Sequence, residues 1–335
     1  MNHPARLVCA SIVLVAGVLG CDNAVTTTGG GGDTSTGDTT GSQATNGSTT
    51  GALMMSSGSG LPSEFYTMTF GPVDVGPGQE HTQCVTKRLG NLGTIHVGQI
   101  HNELIGVSHH LIVYKSTATE EEPNPQNCQP FSDTLASGKG GPLMITQKHD
   151  ELLTLPQGVA FNLDPNQMVR LEVHFINPTG ETRSIEAKST FYVMPDAEFK
   201  DEAGFLFAGN TFVQLPPMQT TTLHKFISMP PDLADKKFFG FTGHVHQMGT
   251  DVRVGMGPDA SSLVPVYDVP NFSWSEPPTQ YHDPPVVLGP NQGFDLTCDY
   301  DNTSNQTIGF GESAENEMCF FWAYYFPSVG PKVIF

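Results

Sequence analysis

The sequence predicts an all-β protein: two tandem jelly-roll-like β-sandwich domains behind a disordered N-terminal tether. Three observations carry this. Short alternations of apolar and polar residues recur after residue 60, as in EFYTMTF (64–70), IGVSHHLIVY (105–114), VRLEVHF (169–175) and FFGFTGHVH (238–246). Pro-Gly, Asn-Pro, Gly-Pro and Asp-Pro pairs punctuate them as turn signals. No stretch sustains a 3.6-residue period with helix caps, and 36 glycines and 26 prolines among 335 residues disfavour a helical bundle.

Taken in order, residues 1–21 (MNHPARLVCASIVLVAGVLGC) read as a signal peptide. One basic residue, Arg6, precedes an apolar run too short to span a bilayer. Val18-Leu19-Gly20-Cys21 resembles a bacterial lipobox, which would make Cys21 the lipidated first residue of the mature chain. The expected location is therefore outside the cytoplasm, on the periplasmic or cell-surface side, with membrane contact only through that anchor. Residues 22–60 hold no Lys, Arg or aromatic residue and are dominated by Gly, Ser and Thr, the composition of a flexible tether. The rest is long enough for two domains of ordinary size, expected at 61–196 and 197–335 with the boundary near MPDAE (194–198).

Charge and cysteines narrow the class. The formal charge of −19 argues against nucleic-acid binding, which needs a basic footprint. Cys9 leaves with the signal and Cys21 is the lipid site. Cys84, Cys128, Cys298 and Cys319 remain, and four cysteines allow three pairings. Two fall in each expected domain, so Cys84–Cys128 and Cys298–Cys319 is the economical choice. An exported chain favours disulfides over free thiols, and no C-x-x-C spacing suggests a metal knuckle.

The twelve histidines point to chemistry. In RLEVHF, Leu171, Val173 and Phe175 share one strand face, while Glu172 and His174 share the other. Glu172 is thus a candidate to orient His174. His244 and His246 alternate with Gly243 and Val245, so both imidazoles leave one strand on the same side. His109 and His110 are adjacent, and in a regular strand they point to opposite faces. Both meet one metal only if the strand bends or ends there. His96, His101, His149, His224 and His282 fit no such pattern and are expected to face solvent.

The ordered set His109-His110, His174 within LEVHFINP, His244-Val245-His246 and Glu317-Met318-Cys319 resembles the copper type II, ascorbate-dependent monooxygenases. YDNTSNQ (300–306) and ENEMCFFWAYYFP (315–327) add to the resemblance, which runs over residues 62–335. It implies two coppers per chain, with ascorbate or a similar reductant as co-substrate and O2 and a small organic molecule as the other substrates. His109, His110 and His174 would hold the electron-transfer copper. His244, His246 and Met318 would hold the catalytic one. Imidazole suits copper, and a thioether favours Cu(I). The peptide-hydroxylating branch of the family carries an arginine where this chain has Thr242, so a C-terminal peptide substrate is not expected. Alternation puts Phe320 and Trp322 on the Met318 face as candidate contacts for an apolar or aromatic substrate. Two rival readings remain: a non-catalytic surface copper-binding lipoprotein for storage, delivery or sensing, and a lipid-anchored adhesion module.

Overall fold

The computed structural model describes residues 64–135 and 140–335, which fall within one compact unit. The expected signal peptide, tether and lipid site at Cys21 lie outside the described residues. The N-terminal half runs β1 (Phe65–Val75), β2 (Glu80–Arg88), β3 (Ile95–Ile105), β4 (Ser108–Ser116), β5 (Glu122–Asn127), β6 (Gly140–Thr146), β7 (Asp150–Thr154), β8 (Val159–Leu163), β9 (Met168–Ile176) and β10 (Arg183–Met194). The C-terminal half runs β11 (Asp201–Glu202), β12 (Gly204–Gly209), β13 (Gln214–Leu215), β14 (Gln219–Ser228), β15 (Lys237–His244), β16 (Gly249–Gly257), β17 (Val264–Asp268), β18 (Gln280–Val287), β19 (Gly293–Asn302), β20 (Ile308–Gly309), β21 (Phe320–Phe326) and β22 (Lys332–Ile334).

Each half is a sandwich. The first stacks a sheet of order β1-β10-β3-β8, with β7 also on β3 and the short β11 of the C-terminal half added in parallel beside β8, against a sheet of order β5-β2-β9-β4-β6. The second stacks β18-β15-β21-β12-β22 against β14-β19-β16-β17. Strand β21 shows why they meet. Cys319, Phe321, Ala323 and Tyr325 point into the second sandwich's own core, while Met318, Phe320, Trp322, Tyr324 and Phe326 join the apolar cluster of the first half. A strand buried on both faces reads as a continuous apolar run, which explains FFWAYYF.

Two departures from plain alternation matter. The run 105–114 is broken by Gly106, whose φ is +82°. A Cβ there would lie 2.2 Å from the Ser184 carbonyl oxygen, so the chain turns on glycine as it crosses from β3 in one sheet to β4 in the facing sheet. In β15 the register slips between Phe238 and Gly240, so Phe239 faces the first half while Phe238 and Phe241 stay in the second core.

The two halves also share local devices that the linear sequence hides. Gly76-Pro77-Gly78-Gln79, Asp164-Pro165-Asn166-Gln167 and Gly289-Pro290-Asn291-Gln292 make the same turn. Proline takes the second position, and the third residue has positive φ (+68°, +52° and +59°). In each, the glutamine Oε1 accepts the first residue's N–H, at 2.9, 3.2 and 2.7 Å. Buried Asn177 and Asn302 are likewise equivalent. Each Nδ2 donates to three carbonyls, and each Oδ1 accepts an N–H and a hydroxyl two residues on.

Candidate metal centres

The first cluster sits on neighbouring strands β4 and β9. His110 is paired directly with His174, and the register slips between Ser108 and His110, making His109 the extra residue of a bulge. The bulge swings His109 onto the side of its neighbour, which regular alternation forbids. Ring centroids are 5.6 Å apart for His109–His110, 5.4 Å for His109–His174 and 4.9 Å for His110–His174. One donor atom from each lies within 4.8 Å of the other two.

The donor set fits a metal. The Nδ1 atoms of His109 and His110 are 3.3 Å apart. Two imidazole nitrogens bound at about 2.1 Å to one first-row ion span that chord at an angle of roughly 105°. The Nε2 atoms of both rings are buried without a protein partner. His174 Nε2 is 3.0 Å from Glu80 Oε1, which leaves its Nδ1 as the free donor. Burial, then repulsion from His174, lowers His109 to about 4 and His110 well below the usual imidazole range. These rings stay neutral and keep a lone pair.

Glu172 does not orient His174. Its carboxylate accepts the Phe131 N–H at 2.8 Å and meets Tyr114 Oη at 3.4 Å and Arg170 Nη2 at 3.5 Å. Burial raises it to about 7 against those partners. It lies beside the bonded Cys84–Cys128 pair, whose sulfurs are closed to a metal. The orienting carboxylate is Glu80, which also accepts the Ala314 N–H at 3.3 Å from the C-terminal half.

The second cluster forms at the end of β15. The rings of His244 and His246 are 5.2 Å apart and nearly perpendicular, at 84°. His246 Nδ1 is 3.0 Å from the Asn316 carbonyl oxygen, which can only accept, so Nε2 carries the lone pair. His244 Nδ1 is 3.0 Å from Gln147 Oε1, and its Nε2 has no protein partner. Burial lowers both rings, His244 the more strongly. The Glu317 carboxylate accepts the N–H of His246 (2.9 Å) and of Met248 (2.7 Å), fastening the segment before Met318 to the end of β15. Met318 is buried, its carbonyl accepts Tyr300 Oη at 2.6 Å, and Cys319 is bonded to Cys298.

Residues of one half cover the cluster of the other. Trp274 lies 6.0 Å from His109, and Gln147 reaches His244. Of the two candidate substrate contacts, Trp322 is beside His244, with centroids 6.1 Å apart. Its Nε1 is buried without a hydrogen-bond partner, and Tyr324 lies on the same face of the strand. Phe320 instead packs among Phe207, Phe310 and Phe335. Thr242 Oγ1 is 2.8 Å from Thr279 Oγ1.

Of the histidines expected to face solvent, His149 and His224 are exposed and His96, His101 and His282 are half-buried, and each has a partner in the fold. His96 stacks on Phe199 at 3.9 Å and meets Asn162. His101 pairs with Asp150, His149 with the Leu104 carbonyl, His224 with Asp295, and His282 with the Val266 carbonyl.

Comparison with known families matches residues 203–334 to the C-terminal domain of the copper type II ascorbate-dependent monooxygenases. That segment contains His244, His246, Met318 and the Cys298–Cys319 bond. The first histidine cluster precedes it. No curated protein matches the chain.

Proposed function

We propose, from the match of residues 203–334 to the C-terminal domain of the copper type II ascorbate-dependent monooxygenases, that this chain is a two-copper enzyme of that family. It hydroxylates a C–H bond of a small organic substrate with O2 and a reductant such as ascorbate. The observation that carries this reading is the first histidine cluster. Outside the matched segment, the fold gathers three more imidazoles, with one nitrogen of each within 4.8 Å of the other two and the Nδ1 atoms of His109 and His110 3.3 Å apart.

His109, His110 and His174 would hold the electron-transfer copper, and His244, His246 and Met318 the catalytic one. Bound copper supplies the one-electron chemistry: two electrons and two protons convert R–H and O2 to R–OH and water. The protein's part is positional. Burial keeps His109, His110, His244 and His246 neutral, Glu80 and the Asn316 carbonyl aim His174 and His246, and Glu317 fixes the backbone that carries His246. Met318 adds a soft donor in apolar surroundings, which suits Cu(I). Trp274, Phe131 and Trp322 line the rings and exclude water.

The surroundings of His244 also shape the substrate class. Thr242 stands where the peptide-hydroxylating branch has a cationic clamp, and its hydroxyl is already paired with Thr279. Trp322, Tyr324 and Phe239 bring aromatic surface to the same side. An uncharged apolar or aromatic molecule fits that lining better than a peptide carboxylate.

The two disulfides suit an oxidising compartment. With the signal and lipobox-like motif, they support an exported, lipid-anchored enzyme. The decisive assay is oxygen consumption by the copper-loaded protein with ascorbate. Consumption that rises with an apolar substrate and yields its alcohol is expected. Consumption indifferent to every substrate would favour a non-catalytic copper-binding lipoprotein.

A further inference from the structure

We propose that Gln147, a residue of the N-terminal half, is a positioning residue for the metal site of the C-terminal half. It fixes His244 as the Nδ1–H tautomer, so that Nε2 is the ligand atom. The inference rests on the copper reading above.

A neutral imidazole has one donor nitrogen and one acceptor nitrogen, and the hydrogen bond made by one decides the role of the other. His246 is settled within its own half, because the Asn316 carbonyl accepts from Nδ1 at 3.0 Å. For His244 the partner at Nδ1 comes from the other sandwich. Gln147 follows the last residue of β6, 97 positions earlier in the chain, and its Oε1 lies 3.0 Å from Nδ1. Both side chains are more than nine-tenths buried, with relative exposures of 6% for Gln147 and 4% for His244. Water does not compete freely for that bond. The Nε2 of His244 is buried and unpartnered, as a ligand nitrogen is before it meets its ion.

The consequence is a site completed across the interface between halves. The C-terminal half supplies His244, His246 and Met318, but the tautomer of one ligand is set only when the N-terminal half is docked. The amide turned the other way would donate to Nδ1 and leave Nε2 protonated. His244 would then be unable to bind metal without rearranging.

Nitrogen-15 NMR of the histidine side chains in the metal-free protein reads the tautomer directly. Wild type is expected to show His244 protonated at Nδ1 and bare at Nε2. Gln147→Leu should abolish that preference and weaken Cu(I) binding at the C-terminal site by about 10–100-fold, the usual effect of losing such a partner. Binding at His109, His110 and His174 should stay within about twofold. Gln147→Glu, which keeps an acceptor in place, should restore the tautomer and most of the affinity. Cu(I) competition against a chelator measures both sites. A wild-type His244 protonated at Nε2 would overturn the proposal, and that measurement stands even if Gln147→Leu fails to fold. So would a folded Gln147→Leu protein that binds Cu(I) at the C-terminal site as tightly as wild type. Wild type that binds no copper at any site would instead refute the copper reading itself.

Discussion

Replacing Cys298 and Cys319 together by alanine separates the structural from the chemical role of the second disulfide. Cys298 lies in β19 and Cys319 directly precedes β21, so the bond joins the two sheets of the C-terminal sandwich. It closes a separation of 21 residues, which corresponds to about 3.3 kcal/mol of lost chain entropy in the unfolded state. Cys84–Cys128 closes 44 residues, or about 4.0 kcal/mol on the same basis. On stability alone, losing the first bond should cost slightly more. On copper the order should reverse. Cys319 is the neighbour of Met318, while Cys84 and Cys128 lie beneath the first cluster, beside Glu172 rather than a histidine. Urea unfolding of the metal-free proteins measures the stabilities, and chelator competition measures Cu(I) at each site. The expected result is a loss of roughly 3 kcal/mol in Cys298→Ala/Cys319→Ala, with weakened Cu(I) at the C-terminal site only. Stability within 1 kcal/mol of wild type would refute the entropy reasoning. Unchanged C-terminal Cu(I) affinity despite the lost stability would refute the claim that the bond restrains Met318.

Other perturbations bear on separate parts of the account. Glu80→Ala should weaken copper at His109, His110 and His174 by about 10–100-fold, because it removes the carboxylate at His174 Nε2, and Glu80→Gln should lose less. Isothermal titration with copper checks both. His244→Ala and Met318→Ala should each abolish substrate-dependent oxygen consumption while circular dichroism still reports the folded β-protein. Turnover at the wild-type rate in either variant would contradict the ligand assignment. Asn302→Ala should cost roughly 2–4 kcal/mol in urea unfolding, since it strips partners from three carbonyls, and Asn177→Ala should match it if the two brackets are equivalent.

Much of this was legible in the sequence, and the exceptions have physical causes. Alternation correctly placed Met318, Phe320 and Trp322 on one side of β21 and Cys319 and Phe321 on the other. The cysteine pairing followed from position alone. Alternation could not place His109, because the bulge that turns it depends on register with β9. A second slip, between Phe238 and Gly240, likewise breaks the period and turns Phe239 toward the first half. Glu172 shared a face with His174 on paper, but a carboxylate two residues away on the same strand is drawn to the Phe131 N–H and Arg170 instead. The residues that do orient the ligands come from far along the chain: Glu80 is 94 positions from His174, and Gln147 is 97 from His244. No local pattern marks such partners. Asn316 and Glu317 stand within the methionine motif itself, but their roles depend on the approach of His246 and Met248 from β15 and could not be read from the motif.

The central claim is that the chain holds two separate coppers, one on each set of ligands. Copper analysis with electron paramagnetic resonance on the oxidised protein tests it, run on wild type, His109→Ala/His110→Ala and His244→Ala/His246→Ala. The account predicts two type 2 Cu(II) centres in wild type and one in each double variant, with spectra that sum to the wild-type signal. A single copper in wild type, or the loss of both coppers on removing either histidine pair from a folded protein, would contradict it.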